Sequence, residues 1–236
     1  MINGDNEEKM MNKTQNDAKH TFQPAPDPMS NVSPFPGKAW PREELEEMKR
    51  RWLDANVRAE QTGDWVSTLG AMYHDTAIYR WNIGPNEEFI ANGAAAIRDN
   101  AVGIQMDGFD GWAYPYDRWV IDDQTGEMVG FWRQVAPVKR ADGSVVEVAG
   151  CGGSWFQYGG DFKWQWQRDF FDLGNVFTAF GEVETLGGLN PKVKARISTL
   201  AKGGTLPGHV PLREKLPLTG KLKQGAALAK IVLFGR

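Results

Sequence analysis

A chain of 236 residues, 41% of them apolar and with a net charge of −3, has the composition of a soluble globular protein with room for one large or two small domains. Its single cysteine, Cys151, excludes an internal disulfide and a thiolate metal cluster, and fits a reducing, cytoplasmic setting. No run of about 18 apolar residues suggests a membrane span, and the N-terminus lacks the apolar segment of a secretory leader.

Residues 1–37 are rich in Asn, Asp, Lys, Ser and Pro, without apolar periodicity, and read as a loosely draped arm. A strong helix follows in "PREELEEMKRRWLDANVRAEQTGD". Pro41 stands at its start, acids fill its first turn and Gly63 ends it; Leu45, Met48, Trp52, Ala55 and Ala59 form its apolar face. "WVSTLGAMYHD" predicts a shorter second helix, "AIYRW" a strand, and "FIANGAAAIRDNAVGIQM" a third, Ala-rich helix. Period-two patterns then take over in "WAYPYDRWVIDD", "EMVGFWRQVAPVKR", "SVVEVAGCGGSWFQY" and "KWQWQRDFFDL", separated by the turn signals "DQTGE", "ADGS" and "YGGD". Helices first and an antiparallel meander after them make an α+β domain over residues 38–186. The segment 187–236 carries ten Lys/Arg and one acid, Glu214; its +9 leaves −12 for residues 1–186. It reads as a basic arm with two short helices. Its one aromatic, Phe234, is too little for stacking on nucleic-acid bases, so packing on the acidic body is the expectation.

In "KWQWQRDFFDL" both alternating sets look fit for burial, yet a strand sends them to opposite faces. One set is Trp164, Trp166, Arg168 and Phe170; the other is Gln165, Gln167, Asp169 and Phe171.

The ordered pieces "GDWVSTLGAMYHDTAIYRW", "NGAAAIRDN" and "GSWFQYGGDFKWQWQRDFFDL" resemble the SnoaL-like branch of the nuclear transport factor 2-like superfamily over roughly residues 40–180. The resemblance implies a cone-shaped, curved antiparallel sheet wrapped around three N-terminal helices, with a pocket between them and an oligomer interface (dimer or trimer) on the sheet's outer side. Enzymes and binding modules share this fold, so residues must decide the activity. Compared with limonene epoxide hydrolases, Arg133, Asp169 and Tyr79 are retained, while Val135 replaces an Asp and Trp81 an Asn. Compared with ketosteroid isomerases, Trp81, Asn56 and Ser154 replace the base and both oxyanion donors.

Placing Arg133 and Asp169 inward, as the resemblance implies, parity brings Phe131, Val135, Gln165, Gln167, Phe171, Tyr79 and Trp81 into the pocket, with Ser154 beside them. The same parity sends Trp132, Gln134, Trp164 and Trp166 outside. Asp169 is then the base or an orienting carboxylate, with Arg133 its partner; the alternative is a structural ion pair with Arg133 or Arg168. Tyr79 and His74 are candidate proton donors, although Tyr79 also suits a satisfied core phenol and His74 a helix C-terminus. "AGCGGSW" has no following helix or Lys, so it reads as a glycine bulge and not a phosphate loop. No metal or other cofactor is expected, and the partners expected are a hydrophobic small molecule and further copies of the chain, with no nucleic acid or membrane. The function that follows is acid–base catalysis on a bulky aromatic molecule. Within the family the match is to the lyases that release formaldehyde from lignin-derived aromatic dimers; the alternatives are an epoxide hydrolase, dehydratase or isomerase, or a non-catalytic binding module.

Overall fold

The computed structural model describes residues 31–83, 87–212 and 217–234. Helix α1 (Arg42–Thr62) starts after Pro41, whose missing N–H costs nothing there, and Glu43 and Glu44 sit in its positive first turn. Gly63 ends it at φ 72°, donating its N–H to the Ala59 carbonyl. The apolar face read from the sequence is buried, with Asn56 on it, and Trp52 packs edge-on against Phe156 and Trp164 at 5.1 and 5.9 Å.

The predicted second helix is cut short. Helix α2 (Trp65–Thr68), capped by Asp64, gives way to a 3₁₀ turn (Gly70–Met72), and strand β1 (Tyr73–Ile83) begins at once. A Cβ on Gly70 would meet Arg98 Cγ at 2.6 Å, so the next helix crosses too closely for a regular continuation. After strand β2 (Glu87–Asn92), helix α3 (Ala94–Ala96) runs directly into a π-helical stretch (Ile97–Ile104). There the Gln105 N–H reaches back to the Asn100 carbonyl at 3.0 Å, the five-residue spacing of a π turn.

Strands β3 (Tyr116–Asp122), β4 (Glu127–Trp132), β7 (Gly152–Tyr158) and β8 (Trp164–Phe170) form the meander, while β5 (Val135–Lys139) and β6 (Val145–Glu147) pair as a separate ribbon. The main sheet has the order β3-β4-β7-β8-β1-β2-β9. Its neighbours are antiparallel except β8 and β1, which run parallel, so the sheet is mixed.

Beyond the meander, helix α4 (Leu173–Thr185), capped by Asp172, and helix α5 (Pro191–Ala201), capped by Asn190 with Pro191 in its first turn, cover one opening of the sheet. Strand β9 (His209–Pro211) then adds to the edge of β2, pairing Phe89 with His209. The expected boundary at residue 187 is therefore no structural boundary, because α5 and β9 continue the cavity wall and the sheet. Basic residues of this stretch meet acids of the body, as in Lys192 with Asp107 at 2.7 Å. Helix α6 (Leu218–Phe234) leaves Leu222, Leu228 and Ile231 exposed. Among the described residues no helix is long and apolar enough to cross a membrane.

The outer face carries Trp166, fully buried and edge-on to Trp155 at 5.2 Å, and a network in which Glu88 accepts from both Arg80 and Arg168. Part of the arm drapes over this side: Ser33 bonds to Gln157, whose amide donates to the Phe35 and Pro36 carbonyls.

Candidate active site

Cross-strand partners share a face, so the register decides what looks inward. Asp169 stands opposite Ser154 on β7 and Trp81 on β1, Ser154 opposite Gly130 on β4, and Gln167 opposite Tyr79 and Phe156. The cavity face of β4 is therefore Met128, Gly130 and Trp132.

That register overturns part of the sequence reading. Arg133 points away from the cavity, where it pairs with Asp117 and Glu147 at 3.0 and 3.2 Å and remains 40% exposed. Phe131 lies on the outer face against Phe170, and Val135 belongs to the β5–β6 ribbon; neither lines the cavity. Trp132 and Gln134, expected outside, line it instead. The resemblance had placed β4 one residue out of phase. Trp164 also faces inward, against Trp52 and Phe156, because the pairing shifts between Tyr158↔Trp164 and Gln157↔Trp166. Gln165, expected in the pocket, is the extra residue of that bulge and does not line the cavity; it separates the two tryptophans to opposite faces. Gly152 and Gly153, expected to form a bulge, are ordinary paired residues of β7. Their missing side chains make room for rings, since a Cβ on either would meet Trp132 or Phe170 at about 2 Å. His74 lies in β1, not at a helix end, and donates to the Gly160 carbonyl of the β7–β8 hairpin at 3.1 Å, away from the cavity.

The other assignments meet around one carboxylate. Asp169 accepts from the Tyr79 hydroxyl at 2.5 Å, the Ser154 hydroxyl at 2.7 Å and the Gln167 amide at 2.8 Å. Gln167 is itself oriented by the Tyr73 hydroxyl at 2.5 Å, and Ser154 by the Trp132 indole at 2.9 Å. Ser154 supports the carboxylate from behind and does not line the cavity, whereas Tyr79, Trp81, Gln167 and Phe171 do. Burial raises the Asp169 pKa above the ordinary carboxylate value, opposed by its hydrogen bonds from Gln167, Tyr79 and Ser154. Desolvation, aided by the charge of Asp169, holds the Tyr79 and Tyr73 phenols well above their usual range, so both stay protonated.

The cavity has a volume of about 240 Å³ and a predominantly aromatic and aliphatic wall, in which Trp52, Trp65 and Tyr114 join Tyr116 and the other sheet residues. Its size lies just under the roughly 300–1,000 Å³ of typical small-molecule sites, which suits one or two rings better than a polycyclic ligand. Helix α4 contributes Leu173, Val176, Phe177 and Phe180, and α5 contributes Val193, Arg196, Ile197 and Leu200; both sets have the i, i+3, i+4, i+7 spacing of one helical face.

Sequence reasoning missed Gln105, Arg196 and His209. Gln105, just after the π stretch, donates its amide to His209 Nε2 at 3.4 Å, and its carbonyl accepts from Arg196 at 3.4 Å. His209 Nδ1 lies 3.6 Å from Glu87, an ion-pair distance too long for a direct hydrogen bond. Burial lowers the His209 pKa, so the ring is held toward its neutral form. The helical spacing of Val193, Arg196, Ile197 and Leu200 was the available signal, hidden by a net charge that made the whole segment look like a basic arm laid on the acidic body and not a cavity wall. Among the described residues no group of three or more His, Cys, Asp or Glu could hold a metal ion.

No protein-family model matches the chain, and no curated protein matches it in sequence. Among solved structures it is similar to a SnoaL-like polyketide cyclase from Jannaschia sp. CCS1, at 15% identity and a TM-score of 0.43, covering 64% of this chain and 96% of the other. It is also similar to an epoxide hydrolase resembling limonene epoxide hydrolase from M. tuberculosis, at 17% identity and a TM-score of 0.41, covering 69% and 98%. A third is SalBIII, an epoxide hydrolase/cyclase-like enzyme of salinomycin pyran ring formation, at 12% identity and a TM-score of 0.41, covering 56% and 94%. Likeness at this level carries no argument about activity.

Proposed function

We propose that the protein is an acid–base lyase that works with its own side chains on an aromatic molecule of two rings, releasing formaldehyde from lignin-derived dimers. One observation carries this reading: a buried, hydrogen-bonded carboxylate, Asp169, stands at the wall of an aromatic cavity beside a protonated phenol, Tyr79. A carboxylate whose pKa burial has raised is a stronger base than one in water, and the surrounding donors keep it aimed.

In a diaryl-propanediol, Asp169 takes the proton of the primary hydroxyl as the adjacent carbon–carbon bond breaks and that carbon leaves as formaldehyde. The electron pair of the broken bond forms the double bond between the two ring-bearing carbons while the benzylic carbon–oxygen bond breaks. A proton delivered to the departing oxygen completes water. The products are a stilbene, formaldehyde and water, and no electrons are gained or lost. Tyr79 is the proton partner in this scheme, with Asp169 re-protonating it through their shared hydrogen bond.

The test is incubation with 1,2-diarylpropane-1,3-diols, following formaldehyde and the near-ultraviolet absorbance of the stilbene together. Equal yields of the two products support the reading. Binding without turnover would make the protein a small-molecule-binding module, and absence of binding would remove diaryl compounds from its substrates.

A further inference from the structure

A second part of the cavity wall, formed by α5 and β9, carries a cation. Arg196 lies on the cavity wall with its guanidinium partly buried. Its contacts among the described residues are the Gln105 carbonyl at 3.4 Å and the ring of Phe109 at 5.6 Å; none is an ion pair. Asp107, whose charge acts on it, is already bound by Lys192 at 2.7 Å. Glu87 is turned to His209. An arginine taken out of water with no carboxylate of its own is costly unless an incoming group completes it, and its fork of donors matches a carboxylate. Gln105 and His209 stand beside it with polar side-chain atoms on the same wall.

We infer that Arg196, flanked by Gln105 and His209, is a carboxylate-binding subsite, and that the substrate is an aromatic acid whose carboxylate docks there while its reacting carbons lie at Asp169. This rests on the proposed function and narrows its substrate class. The layout supports it: β9, which carries His209, is three strands from β8, which carries Asp169, roughly 14 Å along the sheet. Two linked rings fill that length, with Trp81 and Tyr79 along the way. Charge also sets the direction. An anionic group is repelled by Asp169 and attracted by Arg196, so a monocarboxylate enters one way round.

Stilbene-4-carboxylate and stilbene-4-carboxamide, of nearly equal shape, are the probes. Binding is read from quenching of the cavity tryptophans in the full chain, which needs no turnover. The acid should bind about ten- to a hundredfold more tightly than the amide, as expected for gaining a hydrogen-bonded charge pair. Arg196→Gln should bring the acid to the affinity of the amide while leaving amide binding within about twofold. Equal affinity of the two probes for the wild-type protein overturns the subsite but leaves the diaryl reading standing; a preference that survives Arg196→Gln overturns it too. Failure of both probes to bind removes the aromatic substrate and the subsite with it. Should Arg196→Gln fail to fold, the wild-type ratio still decides the case.

Discussion

Asp169→Asn separates a catalytic carboxylate from a structural one, because the structure makes its cost to folding small. Oδ1, which accepts from Ser154 and Gln167, is retained by the asparagine. Oδ2, which accepts from Tyr79, becomes an NH₂, so the Tyr79 hydroxyl must turn to accept, at a cost of about 1–3 kcal/mol for the disturbed pair. Against this, the substitution removes a buried charge; each unit by which burial has raised the Asp169 pKa returns about 1.36 kcal/mol. The two effects oppose each other. At about 2–4 °C per kcal/mol for a chain of this size, the Tm at neutral pH should move by no more than about 5 °C. Turnover should fall by about 10²–10⁴-fold. The pH dependence adds a sign. With its folded pKa above the unfolded value, Asp169 binds more protons in the folded state between the two. Its contribution is present below the unfolded value of about 3.9 and is lost as pH rises through the folded one. Melting curves of both proteins across this window should therefore shift in favour of Asp169→Asn as pH rises. A wild-type protein that instead gains on the variant with rising pH would show that the carboxylate is stabilised in its ionised form, and unchanged turnover would remove Asp169 from the chemistry. Arg133 plays no part in this ledger, since its partners are Asp117 and Glu147 on the outside.

Tyr79→Phe removes a hydrogen bond that lowers the Asp169 pKa, so the rising limb of the pH–rate profile should move to higher pH; a limb that stays in place refutes the pairing. Arg133→Ala should change stability by less than about 1 kcal/mol and leave turnover intact, because exposed ion pairs contribute little, and a loss of activity would restore the residue to the site. Gly130→Ala should destabilise the fold by about 1–3 kcal/mol in denaturant titrations, since the new Cβ meets the Tyr116 ring at 2.6 Å and the Trp119 ring at 2.9 Å; a variant of wild-type stability would mean the stack yields freely.

Local pattern was enough for the helix-then-strand order and the burial of Leu45, Met48 and Trp52, because periods of 3.6 and 2 follow directly from backbone geometry; the inward placement of Tyr79, Trp81, Gln167, Asp169 and Phe171 needed the family resemblance to choose the face, which parity then extended along each strand. Parity carries only as far as a strand stays regular. The bulge at Gln165 sends Trp164 and Trp166 to opposite faces, and no residue type at that position announces it. Which face of β4 looks inward depended on hydrogen bonding to β7, so Trp132 and Arg133 exchanged the places expected of them. For Arg196 the helical spacing of α5 was a signal in the sequence, whereas the contribution of Gln105 and His209 was decided by tertiary structure alone. His209 reaches the cavity by pairing with Phe89 across more than a hundred residues of chain, and a local reading of charge and composition contains no trace of a contact formed at that separation.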